Sequence, residues 1–265
     1  MSDTTLTEAR YGAPWTRDEL VLALYLYCQI PFAQTKASNP EVVKLAHTIH
    51  RSPASVARKL GNFGAFDPIL AKQGITGLTH VSKADAAIWN EFSCDWGRLV
   101  AYSQQLLAEI DEQHQPIAAE EFIVSRLPID AGATRTVTVR LSQAFFRRSV
   151  LASYGAICCM CGIDQPTLLV ASHIIPWAIN EVARPDPCNG LCLCALHDRA
   201  FDCGMVMVHP SDLTLHFKDK LLSSTNPAVR LYLASLENQR IRLPSRFMPN
   251  PEYLAWHADN VYGSQ

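Results

Sequence analysis

No run of about 18 or more consecutive apolar residues occurs in this chain of 265, which excludes a helix built to cross a bilayer. The opening "MSDTTLTEAR" lacks a basic segment followed by an apolar one. No secretory signal is read there, so the expected compartment is the cytoplasm, with no membrane partner. An excess of one charge sign is also missing: 23 Lys and Arg stand against 25 Asp and Glu, a net charge of −2. The whole molecule therefore has no strong field to draw it to nucleic acid.

Apolar residues are not lacking. They make up 48% of the chain, enough to bury a sizeable core. Cysteine is abundant too, with nine. Cys28 and Cys94 stand alone among apolar neighbours and read as small core residues. Cys158, Cys159, Cys161, Cys188, Cys192, Cys194 and Cys203 crowd into one stretch. Where thiols stay reduced, such crowding favours metal binding over disulfides.

Local charge says more than the total. Between Arg126 and Arg148 five arginines face one acid, Asp130, a local balance of +4. Such a patch can attract phosphate, and Arg147 and Arg148 are its candidates for DNA contact. The plainer reading is a solvated domain edge.

The first half reads as helical. In "PWTRDELVLALYLYCQI" Thr16 caps a helix and Glu19, three residues on, completes a capping box. "NPEVVKLAHTIH" has Asn39 as cap and Pro40 at the first helical position. "SPASVARKLGNF" has Ser52 as cap, after a turn of about three residues, "HRS". Two short helices joined so tightly resemble a helix-turn-helix. Arg51, Arg58 and Lys59 would then meet phosphates or base edges, whereas in an ordinary three-helix bundle they would be cations on its wet side. "GAFDPILAKQGITGLTH" reads as a loop-rich connection, followed by helices in "SKADAAIWNEF" and "DWGRLVAYSQQLLAEIDEQ". The expected division is a helical domain at 1–115, a linker at 116–130 and a second domain at 131–265. The latter opens on "TRTVTVRL", whose alternation predicts a strand. A helix over "SQAFFRRSVLASYG" follows, capped by Ser142 and stopped by Gly155.

The remaining pattern carries chemistry. Cys158-x-x-Cys161 and Cys194-x-x-His197 are paired elements of the kind that give zinc four tetrahedral ligands. Cys159 and Cys192 are alternative members of the set, and buried thiols without metal are the plainer reading. Between the pairs, "LLVASHIIP" reads as a strand ending at His173. A polar connection leads to "NGLCLC", a second strand opening at Asn189, and "ALHDRAFD" starts a helix. Two further strands are expected in "GMVMVHPSDLTLHF", a helix in "NPAVRLYLASLENQRI", and a last helix capped near Asn250. His209, His216 and His257 read as surface or packing residues.

The C-x-x-C, "SHIIPW", "NGL" and "LHDRAFD" occur in an order and spacing that resemble the HNH endonucleases. "RLSQAFFRRSVLASYG" and "PEYLAWH" extend the resemblance over roughly 136–260, in a bacterial, restriction-type branch. It implies an α+β chain: a helical, helix-turn-helix-like N-terminal domain, and a C-terminal ββα-metal domain with a structural zinc ion. It implies His173 as general base, Asn189 as the residue steadying the loop, and Asp198 as ligand of a catalytic Mg²⁺, Mn²⁺ or other divalent ion. Zinc would take Cys158, Cys161, Cys194 and His197. The competing assignment gives His197 to the catalytic ion and leaves zinc incomplete. Many HNH sites carry Asp before the base histidine, and here that residue is Ser172. Arg199 could clamp the scissile phosphate or be a solvated helix residue. The function implied is a DNA endonuclease, with a setting in restriction or phage defence and a homodimer where both strands are cut. The alternatives are a zinc-stabilised, non-catalytic DNA-binding regulator, and an effector whose N-terminal module binds a partner.

Overall fold

The computed structural model describes residues 12–72, 74, 82–113 and 131–264. It divides into two compact units, Met1–Ser142 and Gln143–Gln265. The expected linker at 116–130 lies outside the described residues.

The first unit is helical. α1 (Arg17–Gln29) opens on the full capping box of Thr16 and Glu19. It is buried on nearly all sides, with Leu20, Val21, Leu22, Ala23 and Leu24 all inside. A helix apolar all round belongs in the middle of a bundle. Accordingly α2 (Pro40–Thr48), α3 (Pro53–Gly64), α5 (Lys83–Phe92) and α6 (Trp96–Gln113) all pack on it. Asn39 and Ser52 cap α2 and α3 as expected. The connection 64–80 contains a short helix, α4 (Pro68–Lys72). Tyr27, Leu60, Phe63 and Phe92 fill the centre. Cys28 is buried as expected, but Cys94 is exposed.

Two cations expected on a DNA-facing surface are internal. Arg51 is buried against Glu19, with Nη2–Oε2 at 2.8 Å, and also donates to the carbonyls of Ala13 and Pro14. Lys59 Nζ is 2.8 Å from Asp85 Oδ1, and Asn62 donates to the same carboxylate. Trp15 packs beside both cations, 5.0 Å from the Arg51 guanidinium and 5.2 Å from Lys59 Nζ. Arg51 and Lys59 thus tie helices together. Arg58, the residue before Lys59 on α3, is exposed.

"TRTVTVRL" is helical: it falls inside α7 (Ala131–Ser153). Strand propensity is mostly packing on a pleated neighbour. Among the described residues the two sheets are two-stranded and pair β1–β2 and β3–β4, and this segment is in neither. Ser142 therefore lies within α7 and caps nothing, whereas Gly155, at φ +63°, does follow its end.

The second unit is built around a hairpin and a helix. β1 (Leu169–His173) pairs antiparallel with β2 (Gly190–Cys194), His173 opposite Gly190 and Leu169 opposite Cys194. α8 (Ala195–Asp202) leaves β2 without a loop and packs on both strands. β3 (Val206–Val208) and β4 (Leu215–Phe217) form a second hairpin. Short helices α9 (Asp219–Leu222) and α10 (Pro227–Tyr232) follow. α11 (Pro251–His257), capped by Asn250, brings the chain back to β3. Phe146, Val150, Leu169, Leu191, Leu193, Phe201 and Leu254 share one core. Burying one such side chain contributes about 1.5–3 kcal/mol. Among the described residues no helix is long and apolar enough to cross a membrane.

Candidate active site and metal centre

Two groups of polar residues flank the β1–β2 hairpin and α8. At one end, the turn 158–163 is closed by Cys158 N–H to the Ile163 carbonyl (2.8 Å) and Gly162 N–H to the Cys158 carbonyl (2.9 Å). Gly162 takes φ +82°, a conformation that suits glycine after the second cysteine of such a turn. Cys159 N–H donates to the Cys192 carbonyl (2.8 Å), which docks the turn on β2.

Cys158, Cys161, Cys194 and His197 thereby gather one ligand atom each within 4.8 Å of one another. The Cys161 and Cys194 sulfurs are 3.8 Å apart, and His197 Nδ1 is 3.6 Å from Cys158 Sγ and 3.2 Å from Cys194 Sγ. A tetrahedron with Zn–S near 2.3 Å has edges of about 3.8 Å, so the set has the size zinc needs. His197 Nε2 lies 3.1 Å from the Tyr232 carbonyl. A carbonyl only accepts, so Nε2 keeps the proton and Nδ1 is left as the ligand nitrogen. This group could hold a metal such as zinc. Burial opposes ionisation of Cys158, whereas the amides of Cys161, Cys194 and Met160 favour its thiolate. Burial and the neighbouring sulfurs push Cys161 up to about 12. Cys159, Cys188, Cys192 and Cys203 stand outside the four. Cys192 is pushed up to about 12, chiefly by burial, and is a core thiol of β2.

At the other end lies a cavity of about 420 Å³, lined by Ser172, His173, Trp177, Asp198, Asp202 and His257 among others. His173 closes β1. Its ring stacks on Phe146 (centroids 3.7 Å apart, planes 12°) and meets Trp177 edge-on at 5.4 Å. Its Nε2 is 3.0 Å from the Arg184 carbonyl, so Nδ1 is the lone-pair nitrogen. Burial lowers its pKa from the usual 6.5, the Arg184 carbonyl opposing, so the ring is neutral at pH 7.

Arg184 is held in place by the loop between the strands. Its Nε donates to the Trp177 carbonyl (2.7 Å), and its guanidinium pairs with Glu181. Asn189, wholly buried, staples that loop: Oδ1 accepts from Ile175 N–H (2.8 Å), and Nδ2 donates to the carbonyls of Ile175 (3.1 Å) and Ala183 (3.0 Å). Gly190 must be glycine, because a Cβ there would collide with Val150 and crowd Phe146, the ring under His173.

Asp198 and Asp202 are one turn apart on α8 and both line the cavity. Burial raises the pKa of Asp198, with Ser172 and Arg199 opposing. Ser172 Oγ makes no well-formed hydrogen bond but is near enough to favour the charged form. Burial, and then the charge of Asp198, raise Asp202. His197, the alternative ligand for a catalytic ion, stands with the sulfurs and is not in the cavity lining.

Of the expected DNA-contact residues in this unit, Arg147, Arg148 and Arg199 are exposed. Arg147 Nη1 also donates to the Leu169 carbonyl (2.9 Å), fastening α7 to β1. Asp202 and His257 were not expected here. Spacing gives Asp202 away, since it repeats Asp198 at i+4; His257 ends the "PEYLAWH" stretch of the resemblance, but no spacing ties it to the hairpin.

No curated protein matches the chain. Residues 158–209, which hold the cysteine turn, both strands of the first hairpin, α8 and β3, match the family model described as HNH endonuclease (HNH_2).

Proposed function

We propose that this protein is a metal-dependent endonuclease that hydrolyses DNA phosphodiester bonds. One observation carries the reading. The Arg184 carbonyl fixes the proton of His173 on Nε2 and leaves Nδ1 as its lone-pair nitrogen, and His173 lines the same cavity as Asp198. That is the equipment of a general base for water beside an oxygen ligand for a hard cation. The half-buried Asp198 carboxylate fits a divalent ion such as Mg²⁺ or Mn²⁺, and that ion, when bound, would stabilise charge on the phosphate and the leaving oxygen. His173 takes a proton from the attacking water at Nδ1. Trp177 and Phe146 hold its ring, and Asn189 holds the loop that presents the Arg184 carbonyl. Attack in line with the leaving 3′ oxygen gives 5′-phosphate and 3′-hydroxyl ends, as the family resemblance implies. Exposed Arg199, next to Asp198, is the candidate clamp for the scissile phosphate, and Arg147 and Arg148 extend the cationic surface. Arg58 is the cation of the helix-turn-helix-like α2–α3 pair that stays available to a DNA backbone.

A helical unit joined to such a nuclease domain resembles restriction enzymes, so restriction or phage defence is the proposed setting. A homodimer would let two sites cut two strands. The test is incubation of purified protein with modified and unmodified plasmid, with Mg²⁺, Mn²⁺ or chelator, beside His173→Ala. Cleavage that needs the ion and is lost in the variant supports the reading. A protein that shifts DNA in a gel but never cuts it under any ion is a zinc-stabilised DNA-binding regulator. One whose helical unit binds no DNA is an effector that answers to a partner.

A further inference from the structure

The cavity beside His173 holds more electron-pair donors than the proposed hydrolysis uses. His257 reaches it from α11, outside the segment that matches the nuclease family. Its ring lies flat on Phe201 (centroids 3.7 Å apart, planes 4°), and Nε2 is 3.1 Å from the Phe201 carbonyl. The proton is therefore on Nε2 and the lone pair on Nδ1. Nδ1 has no hydrogen-bond partner, although the residue is only 2% exposed. Stacking and the carbonyl bond fasten α11 to α8, which accounts for the ring faces and Nε2. It leaves Nδ1 unexplained, and a buried acceptor without a partner is a cost that a ligand would remove.

The rest of the cavity points to the ligand's charge. The other polar side chains that line it are His173, Asp198, Asp202, Ser172 and the indole of Trp177. No lysine or arginine lines it. Its two carboxylates and two imidazole nitrogens outnumber the donors, the Ser172 hydroxyl and the Trp177 indole N–H, and its formal charge is negative, which favours a cation. A histidine that donates its second nitrogen to a backbone carbonyl is in the usual state of a metal-binding imidazole.

We infer that His257 Nδ1, together with Asp198 and Asp202, ligates the divalent cation of this cavity. Because one donor is an imidazole nitrogen, the site favours a first-row transition ion such as Mn²⁺ or Co²⁺ over Mg²⁺. The cavity donors are not drawn into a tight group as the cysteine set is. An ion held by these three would draw the side chains together and complete its coordination with water. The ion's task rests on the endonuclease reading, but its binding through His257 does not.

The experiment uses zinc-loaded full-length protein without DNA, titrated with Mn²⁺ and followed by electron paramagnetic resonance. Echo modulation from a directly bound imidazole nitrogen is expected in the wild type and in His173→Ala. His257→Phe keeps the stacking on Phe201 but removes both nitrogens. It is expected to lose the modulation and to bind Mn²⁺ about tenfold more weakly or worse, with circular dichroism and zinc content unchanged. Absence of the modulation in the wild type overturns the inference, as does a folded His257→Phe that binds Mn²⁺ as tightly as the wild type. If that variant does not fold, the wild type and His173→Ala decide: modulation present in both supports His257, and modulation lost with His173 overturns it. Plasmid cleavage is scored separately. A protein that binds Mn²⁺ through His257 but cuts nothing refutes the nuclease reading alone.

Discussion

His173 Nε2 sits 3.0 Å from the Arg184 carbonyl, across the loop that joins the two strands of the hairpin. The bond orients the ring, and burial between Phe146 and Trp177 disfavours its charged form. Burial is the larger effect on the pKa, and the Arg184 carbonyl opposes it. A base works only when neutral, and a lowered pKa keeps it neutral to more acidic pH. The acid limb of DNA cleavage is therefore expected below the ordinary imidazole value of 6.5, measured as initial rate against pH at saturating divalent ion. A limb at 6.5 or above would mean that the ring titrates as if in open solvent.

Asn189 makes a second prediction because its amide bonds in both directions. Replacing it by Asp keeps the acceptor for Ile175 N–H but removes the donors to the carbonyls of Ile175 and Ala183. It also places a carboxylate where the side chain is wholly buried. Each orphaned buried group costs about 1–3 kcal/mol, so melting should fall on the order of 10 °C. Cleavage should fall further than stability explains, since the loop then no longer holds the Arg184 carbonyl against His173. Calorimetry alongside nicking of supercoiled plasmid measures both. An Asn189→Asp protein with wild-type melting would remove Asn189 from the loop's support.

Local signals in the sequence were strong where the physics is local. The capping residues Thr16, Asn39, Ser52 and Asn250 sit where their oxygens meet free N–H groups. The two hairpin strands and α8 follow apolar runs punctuated by Asn189 and Cys194. The four residues that could hold a metal were legible because C-x-x-C and C-x-x-H spacings come in pairs. What was not legible depends on distant partners. "TRTVTVRL" has strand-like residues but is helical and joins neither sheet. Arg51 and Lys59 look like surface cations until Glu19 and Asp85 meet them from 32 and 26 residues away. His257 joins the cavity from beyond both hairpins, next to a residue, Phe201, that lies 56 positions earlier.

The cysteine cluster predicts a division among the thiols. Cys161→Ser removes one of the four gathered donors, whereas Cys188→Ser alters a sulfur outside the set. Elemental analysis is expected to find about one zinc per chain in the wild type and in Cys188→Ser, and little in Cys161→Ser. A structural zinc contributes folding energy directly, so Cys161→Ser and chelator-treated wild type should both melt at lower temperature. Because burial raises the Cys161 and Cys194 thiols, protons compete with the metal, and zinc should be lost progressively as pH falls. Equal zinc in all three proteins would show that these four residues are not the site.

The helical unit offers a test that separates support from contact. Arg51 is buried and bonded to Glu19 and to two carbonyls, whereas Arg58, seven positions on, is exposed. Removing one member of a buried ion pair strands its partner and typically costs about 3–5 kcal/mol. Arg51→Ala should therefore lower melting strongly, as should Lys59→Ala, which strands Asp85 inside the bundle. Arg58→Ala should leave stability within about 0.5 kcal/mol. If the bundle grips DNA, Arg58→Ala should instead flatten the salt dependence of DNA affinity by about one phosphate contact. Fluorescence anisotropy at several salt concentrations reads that slope. An unchanged slope in a fully folded Arg58→Ala would take this face of α3 out of the DNA interface, while stability lost through Arg58 and spared through Arg51 would contradict the ion pairs themselves.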